Sequence, residues 1–320
     1  MKTSRLLAVL GCALFAPAVL GQGAYPNKPV RIIVAFAPGG IADVAARLVA
    51  AKMSESWGQN VVVENRAGGG GSIGVVAAAR SAPDGYTVLA TTTSIAVNPS
   101  LSANAGYDID KDLVPVINLA SSPNLFAAYP GAGATTLRQF IDKAKTGKLN
   151  YGSAGSGTTP HLSAEYLFKI LAKVNVTHVP YKGAGPAVAA AVAGEVEVAS
   201  VAMPPVVPQV KAGRLIGLAV TSNKRVAALP DVPTVAESGF PGFEDYTWVG
   251  FFMPAGSPPE AVNRFNSEIN KLLATQDMKD RLAALGFEPV GGSPAEFGRY
   301  VTAEVQKWAK VVKDTGAKAE

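Results

Sequence analysis

Twice in this chain an apolar, β-prone run ends in a glycine turn that opens straight into a helical stretch. The first turn, Ala37-Pro38-Gly39-Gly40-Ile41-Ala42-Asp43, follows the run 30–36. The second, Ser153-Ala154-Gly155-Ser156-Gly157-Thr158-Thr159-Pro160-His161, precedes the apolar stretch 162–168. Strand, short turn and helix in succession are the parts of a parallel sheet with crossover helices. A helix N-terminus carries unpaired N–H groups and roughly half a positive charge, so each turn is an anion seat in outline. Glycine lets backbone approach a ligand closely, and Ser and Thr hydroxyls add directional bonds. One such turn alone is an ordinary loop. Two predict a small ligand gripped at two points, such as an acid with two carboxylates.

The alternation runs along the chain and repeats. Runs at 30–36, 60–64 and 87–91 are β-rich, with helical stretches at 42–55 and 72–80 between them. Apolar stretches at 114–119 and 124–129 then flank Ser121-Ser122-Pro123, which suits a chain passing from one lobe to another. A second α/β unit follows: helices at 137–145, 161–171 and 187–193, strands at 150–152, 176–179, 196–201 and 215–220. The run 246–253 reads as a return crossing, and helices at 260–274, 278–285 and 294–315 complete the first lobe. Ser293-Pro294-Ala295-Glu296 is a capping box with Pro at the first helical position. The expected organisation is a signal peptide over 1–23, one lobe from 24–122 plus 247–320, and a second from 123–246. Hinges are expected near 121–124 and 245–250. Ligand pockets favour the cleft between such lobes.

The first residues predict export. Lys2 and Arg5 precede an apolar core, followed by small residues up to Gly23, as in a cleaved signal peptide. A lipoprotein reading through Val9-Leu10-Gly11-Cys12 is the lesser alternative, because the apolar run before the cysteine is short. The chain has 1 cysteine, Cys12, inside that leader, so the mature chain has no thiol for disulfides, nucleophilic catalysis or metal ligation. The formal charge of +5 falls to +3 once Lys2 and Arg5 are removed, and aromatics are 8%. With no basic run, nucleic-acid binding has little support.

The motifs Phe36-Ala37-Pro38-Gly39-Gly40-Ile41-Ala42-Asp43, Val63-Glu64-Asn65-Arg66-Ala67-Gly68 and Ala82-Pro83-Asp84-Gly85-Tyr86-Thr87 stand in one order with several others. These are Asn98-Pro99-Ser100-Leu101, Tyr151-Gly152-Ser153-Ala154-Gly155, His178-Val179-Pro180-Tyr181-Lys182-Gly183 and Leu229-Pro230-Asp231-Val232-Pro233. Across the whole mature chain this resembles the Bug family, the periplasmic solute-binding proteins of tripartite tricarboxylate transporters. The resemblance implies an α/β, type II periplasmic binding protein fold, two α/β lobes joined by two crossing segments. It implies a monomer that takes a small organic carboxylate, needs no cofactor or metal, and works with the membrane subunits of the transporter.

Carried over, the family's carboxylate loops place Ala37, Pro38, Gly39, Gly40 and Asp43 on one side of the cleft. Ser153, Ala154, Gly155, Ser156, Gly157 and Thr158 lie on the other. Ile41 joins them as the first N–H of its helix, Lys182 as part of a third glycine turn, and His161 and Met203 as neighbours. One departure stands out: Ser200-Val201-Ala202-Met203-Pro204 replaces a sequence in which many relatives carry an acidic residue. That argues against a ligand whose amino group needs a counter-charge.

Other signals fit enzymes or cofactors poorly. Gly69-Gly70-Gly71-Ser72-Ile73-Gly74 matches GxGxxG, but its turn is long and no acidic residue follows at the right distance. Ser156 forms no GxSxG elbow. A hydrolase using Ser156 and His161 remains an alternative, as does a periplasmic subunit of a sensing system. The plainer role for His161 is to order the serine loop; His178 reads as structural. Arg66 reads as a loop-fixing partner of Glu64 or Asp84, while Trp248 and Phe251 either line the cleft or fill the lobe interface.

Overall fold

The computed structural model describes residues 25–102 and 105–315, so the leader read at 1–23 lies outside the described residues. The strands are β1 (Val30–Val34), β2 (Val61–Asn65), β3 (Thr87–Thr92), β4 (Leu113–Ala128) and β5 (Leu149–Ser153). Then come β6 (Val176–Pro180), β7 (Val198–Ala202), β8 (Ile216–Val220), β9 (Tyr246–Pro254) and β10 (Glu288–Gly291). They run in the order β2-β1-β3-β9-β4-β7-β5-β6, with β10 and β8 also pairing β4. The expected crossovers are present: β1 is parallel to β2 and β3, and β5 is parallel to β6 and β7. The central pairings of β9 with β3 and of β4 with β9 and β7 are antiparallel.

β4 organises everything else. Its first part pairs with β9 and β10, and from Asn124 onward it pairs with β7 and β8. The stretches read as separate at 114–119 and 124–129 are therefore one strand. Pro123 is tolerated because it sits opposite Tyr246, where the pairing partners change and a missing N–H breaks no continuous ladder. We call the parts on either side the β1 half and the β5 half. The β1 half has one core, into which Trp248, Phe251 and Phe252 from β9 and Phe265, Phe297 and Trp308 from the last helices are packed. The β5 half has a core on each face of its sheet, one around Val201, Met203 and Val206, the other around Phe126, Phe140 and Phe168.

Local chemistry explains most element ends. The helix Ile41–Trp57 stops at Gly58, which takes the left-handed conformation and returns its N–H to Ser54. The capping box before Pro294–Thr315 forms, with the Ser293 N–H on Glu296 and the Glu296 N–H on the Ser293 hydroxyl. The helix read over 161–171 is an α-helical segment, Thr159–Glu165, continued by a wider π turn over Tyr166–Leu171. The helix Met203–Lys211 went unread because Pro204, Pro205 and Pro208 mask its pattern; two of these prolines sit in the first turn, where no intrahelical donor is needed. β10 also went unread, being only 4 residues long.

Candidate functional site

The loop after β1 is tied down by charge. The Asp43 carboxylate accepts the Gly39 N–H at 2.9 Å, the Arg47 guanidinium at 3.0 Å and the Asn65 amide at 2.8 Å. Asn65 also donates to the Phe36 carbonyl, so the end of β2 braces the end of β1. Burial opposes the charge on Asp43, but the hydrogen bonds from Arg47, Gly39 and Asn65 outweigh it and hold the carboxyl below its usual range. Gly39 takes φ +80°, which only glycine adopts without strain and which turns the chain into the helix.

The loop after β5 is tied down by neutral groups. The Ser153 hydroxyl meets His178 Nε2 at 2.7 Å and accepts the Gly155 N–H at 3.1 Å. The Thr158 hydroxyl donates to the Gly155 carbonyl at 2.7 Å. The Gly157 N–H goes to His161 Nδ1 at 3.2 Å, and the His161 and His178 rings stack 4.1 Å apart. Burial, with His161 adding to it, depresses His178 to about 3, so that ring packs as a neutral imidazole; His161, whose Nδ1 accepts the Gly157 N–H, is neutral on that geometry.

The β1 loop meets the loop after β6, and the loop after β2 meets the one after β5. The Ala37 N–H donates to the Lys182 carbonyl at 3.0 Å, joining the β1 half to the β5 half. Glycines make the approach possible: a Cβ on Gly185 would lie 2.2 Å from the Pro38 carbonyl oxygen, and one on Gly70 would lie 2.3 Å from the Ser156 carbonyl oxygen. Between the halves lie two adjacent cavities. The inner one, about 20 Å³, is walled by Gly40, Ile41, Ala42, Thr92, Thr158 and Thr247, with Pro160, Ala184 and Ala202. The outer one, about 360 Å³, is walled by Gly68–Ser72, Asn98, Leu101, Ser102, Gly155, Ser156, Tyr181 and Lys182. Phe36 and Ala154 belong to both walls, and among the described residues no acidic side chain lines either cavity.

Most residues singled out from the sequence gather here, with several roles redrawn. Gly40, Ile41 and Thr158 line the inner cavity, Gly155, Ser156 and Lys182 the outer, and Ala154 both. Ala37, Pro38 and Gly39 form the contact with the loop after β6 and the start of the next helix instead. Asp43 turns its carboxylate back into its own loop, and Ser153 is fully buried under its loop. The N–H groups of Gly39, Gly155 and Gly157, expected to face a ligand, serve the loops themselves, as does the Thr158 hydroxyl proton. His161 orders the serine loop as read; its Nδ1 accepts from Gly157, which leaves that nitrogen no proton-abstracting role toward Ser156. Met203 is corrected outright: it is fully buried in the β5-half core and against Gly286, and lines neither cavity. Arg66 pairs with Glu64 at 2.6 Å, and Trp248 and Phe251 are core residues.

Sequence reasoning missed Phe36, the Gly68–Gly71 run, Asn98 and Thr247 as wall residues. The glycine run had been weighed only as a nucleotide fingerprint. Its signal was there, since Gly68, Gly69, Gly70 and Gly71 all take positive φ, a conformation chosen for close approach.

Comparison with known proteins agrees with the architecture. The family described as "Tripartite tricarboxylate transporter family receptor" matches residues 45–317. BugT of Bordetella pertussis is 37% identical over 325 residues, covering 99% of this chain and 99% of BugT. The structure of R. palustris Rpa4515 with adipate superposes with a TM-score of 0.88 at 37% identity, covering 92% of this chain and 100% of that one. MatC from Rhodopseudomonas palustris with bound malate superposes at 0.83 and 32% identity, covering 90% of this chain and 100% of that one. The fold is that of the periplasmic binding proteins.

Proposed function

Because the chain belongs to the tripartite tricarboxylate transporter receptor family, we propose that it captures a small organic carboxylate between two lobes and passes it to the membrane subunits of such a transporter. It does so as an exported, periplasmic monomer that performs no chemistry on its ligand. The observation that carries this reading is the convergence of loops from both halves on one inner cavity that no acidic side chain lines among the described residues. The lobes are 24–122 plus 247–320 and 123–246, hinged where β4 and β9 cross. Similar proteins holding adipate and malate support the carboxylate class.

The seat is drawn from the first turn of the helix Ile41–Trp57, whose N–H groups have no intrahelical acceptor. Hydrogen bonds from such neutral donors to a charged acceptor contribute roughly 1.5–3 kcal/mol each. A thermal-shift screen of mono-, di- and tricarboxylates tests the reading. A ligand at 100 times its Kd adds about 2.7 kcal/mol of stability, a clear rise in Tm. No shift with any acid overturns it, and so does turnover of the acid that shifts Tm.

A further inference from the structure

The two strands that join the halves carry a chain of buried polar side chains, which starts at the inner cavity and ends on an acid outside it. Thr247 is part of the inner wall. Its hydroxyl donates to Asn124 Oδ1 at 2.8 Å, so its oxygen takes the proton of the Thr159 hydroxyl. The Asn124 amide donates in turn to the Asp245 carboxyl at 2.8 Å, where the Ser163 hydroxyl also donates. Each of these bonds points its proton toward Asp245. Thr221 ties the two strands together behind the chain. Its hydroxyl accepts the Asn124 N–H at 2.8 Å and donates to the Asp245 carbonyl, and its own carbonyl takes the Asp245 N–H at 3.0 Å. Asn124, Thr159, Thr221 and Thr247 are at most 3% exposed.

Asp245 stands in the wall of a third cavity, of about 340 Å³. The helix Thr159–Glu165 separates it from the inner one: Pro160 lines the inner cavity, Leu162 and Ser163 the third. Lys307 and Trp308 of the last helix form another part of its wall, so this cavity too lies between the halves. The titratable groups facing Asp245 are Tyr166 from the helical turn, its neighbours Glu244 and Tyr246, and Tyr300, Glu304 and Lys307 from the last helix. Lys307 pairs with Glu304 at 3.2 Å, and Glu304 also accepts the indole N–H groups of Trp248 and Trp308, so the nearest cation and anion offset each other. Desolvation then dominates and raises the Asp245 carboxyl to about 7, against the Ser163 hydroxyl, Lys307 and the Tyr246 N–H, which favour its charge. Tyr166 and Lys307 are exposed, which gives protons a path from solvent to this wall.

We infer, building on the receptor reading above, that Asp245 is a positioning residue for the ligand seat: through Asn124 it fixes the Thr247 hydroxyl, and the seat holds an anion more tightly when Asp245 carries a proton. The ionised carboxylate draws the protons of the chain toward itself, so Thr247 presents oxygen rather than a proton to the inner cavity. An anion bound there shares one polarised chain with a second negative charge. Protonation of Asp245 removes that charge and relaxes the chain. Linkage makes the effect reciprocal: a bound anion raises the proton affinity of Asp245 by the factor by which the proton raises affinity for the anion.

Calorimetric titration from about pH 6 to 9, where carboxylates stay ionised, tests this with adipate, malate and the acid giving the largest Tm rise in the screen. Wild-type affinity should fall about fivefold across that range, the lower end of ordinary coupling between two sites. Binding near pH 7 should take up protons, read as a heat that varies with the ionisation enthalpy of the buffer. Asp245→Asn keeps an accepting oxygen and does not titrate. It should bind as the wild type does at the acid end, with a flat pH profile and no proton uptake. Ser163→Ala lines neither the inner nor the outer cavity and removes a donor from the ionised form, so it should move the fall in affinity to higher pH. That shift tests the inference even where Asp245→Asn fails to fold. A flat wild-type profile, a fall that persists in Asp245→Asn, or a fall unmoved in Ser163→Ala overturns the inference and leaves the receptor reading standing. Binding of no acid in the screen removes both.

Discussion

The loop after β1 and the loop after β5 have the same task and are built from different chemistry. Each must hold a glycine turn rigid at the mouth of a helix. The β1 loop does it with a buried carboxylate bound by a guanidinium, an amide and a backbone N–H. The β5 loop does it with a serine, a threonine and two stacked neutral histidines. A net charge is tolerable in the first because Asp43 is paired with Arg47, whose side chain is 54% exposed. The second is held by neutral groups, and an unpaired charge buried among them would carry a large desolvation penalty. The difference teaches that a shared geometry does not imply a shared sensitivity to salt or acid.

The largest expected effect falls where the β1 loop touches the start of the helix that follows β6. Gly185→Ala places a methyl against the Pro38 carbonyl, with the Cβ at 2.2 Å, so the halves cannot close. Ligand affinity should drop about a hundredfold, the scale of overpacking a fitted interface, while the ligand-free Tm stays within a few degrees. Gly298→Ala, in the helix Pro294–Thr315 and in neither cavity wall, is the control, because its Cβ meets nothing nearer than 3.7 Å and affinity should stay within about threefold. Equal losses in both variants, by calorimetry, would show that the contact between loops does not limit closure.

Acid separates the two loops next. The unfolded chain takes up a proton at His178 near 6.5, while the folded protein refuses it until about 3. Stability on this account falls as pH drops through that window. Asp43, held below its usual range, keeps its contribution down to about pH 4 and loses it only as pH falls further. Asp245 works in the opposite direction. Burial raises it to about 7, so its contribution is full below about pH 4 and is lost as pH rises through 7. Tm measured from pH 4 to 8 should therefore lose its acid-side slope in His178→Gln and its neutral-side slope in Asp245→Asn. Unchanged curves would refute the neutral-histidine account of the β5 loop.

The alternation of strands and helices was legible because each element carries its own periodicity and its own end signals. The capping box at Ser293 and the glycine stop at Gly58 are local chemistry, and both are present. What escaped depends on partners far along the chain. β4 continues through Pro123 because its pairing changes there, which no local window contains. Asp43 and Met203 have residue types and positions suited to a ligand, yet Asn65 and Arg47 claim one, and Gly286 and the β5-half core claim the other. Phe36 reads as the last residue of a buried strand, and its place between two cavities exists only once the halves meet.

The smallest effect sharpens the same comparison. Arg47→Met removes the half-exposed partner of the buried Asp43 carboxylate, at a cost of about 1.5 kcal/mol that shrinks with added salt. Thr158→Val in the β5 loop leaves the Gly155 carbonyl without that proton and should cost about 1 kcal/mol with no salt dependence. Denaturant unfolding at low and high salt distinguishes the two; a salt-sensitive loss in Thr158→Val would contradict the neutral account.

The central claim is that the seat between the loops recognises a carboxylate through neutral donors. Calorimetric titration of the best acid from the screen against its primary amide, on the same protein sample, addresses it directly. The account predicts that the amide binds at least about a hundredfold more weakly, since two charge-assisted hydrogen bonds lose their ionic acceptor. An amide that binds as tightly as the acid would contradict it.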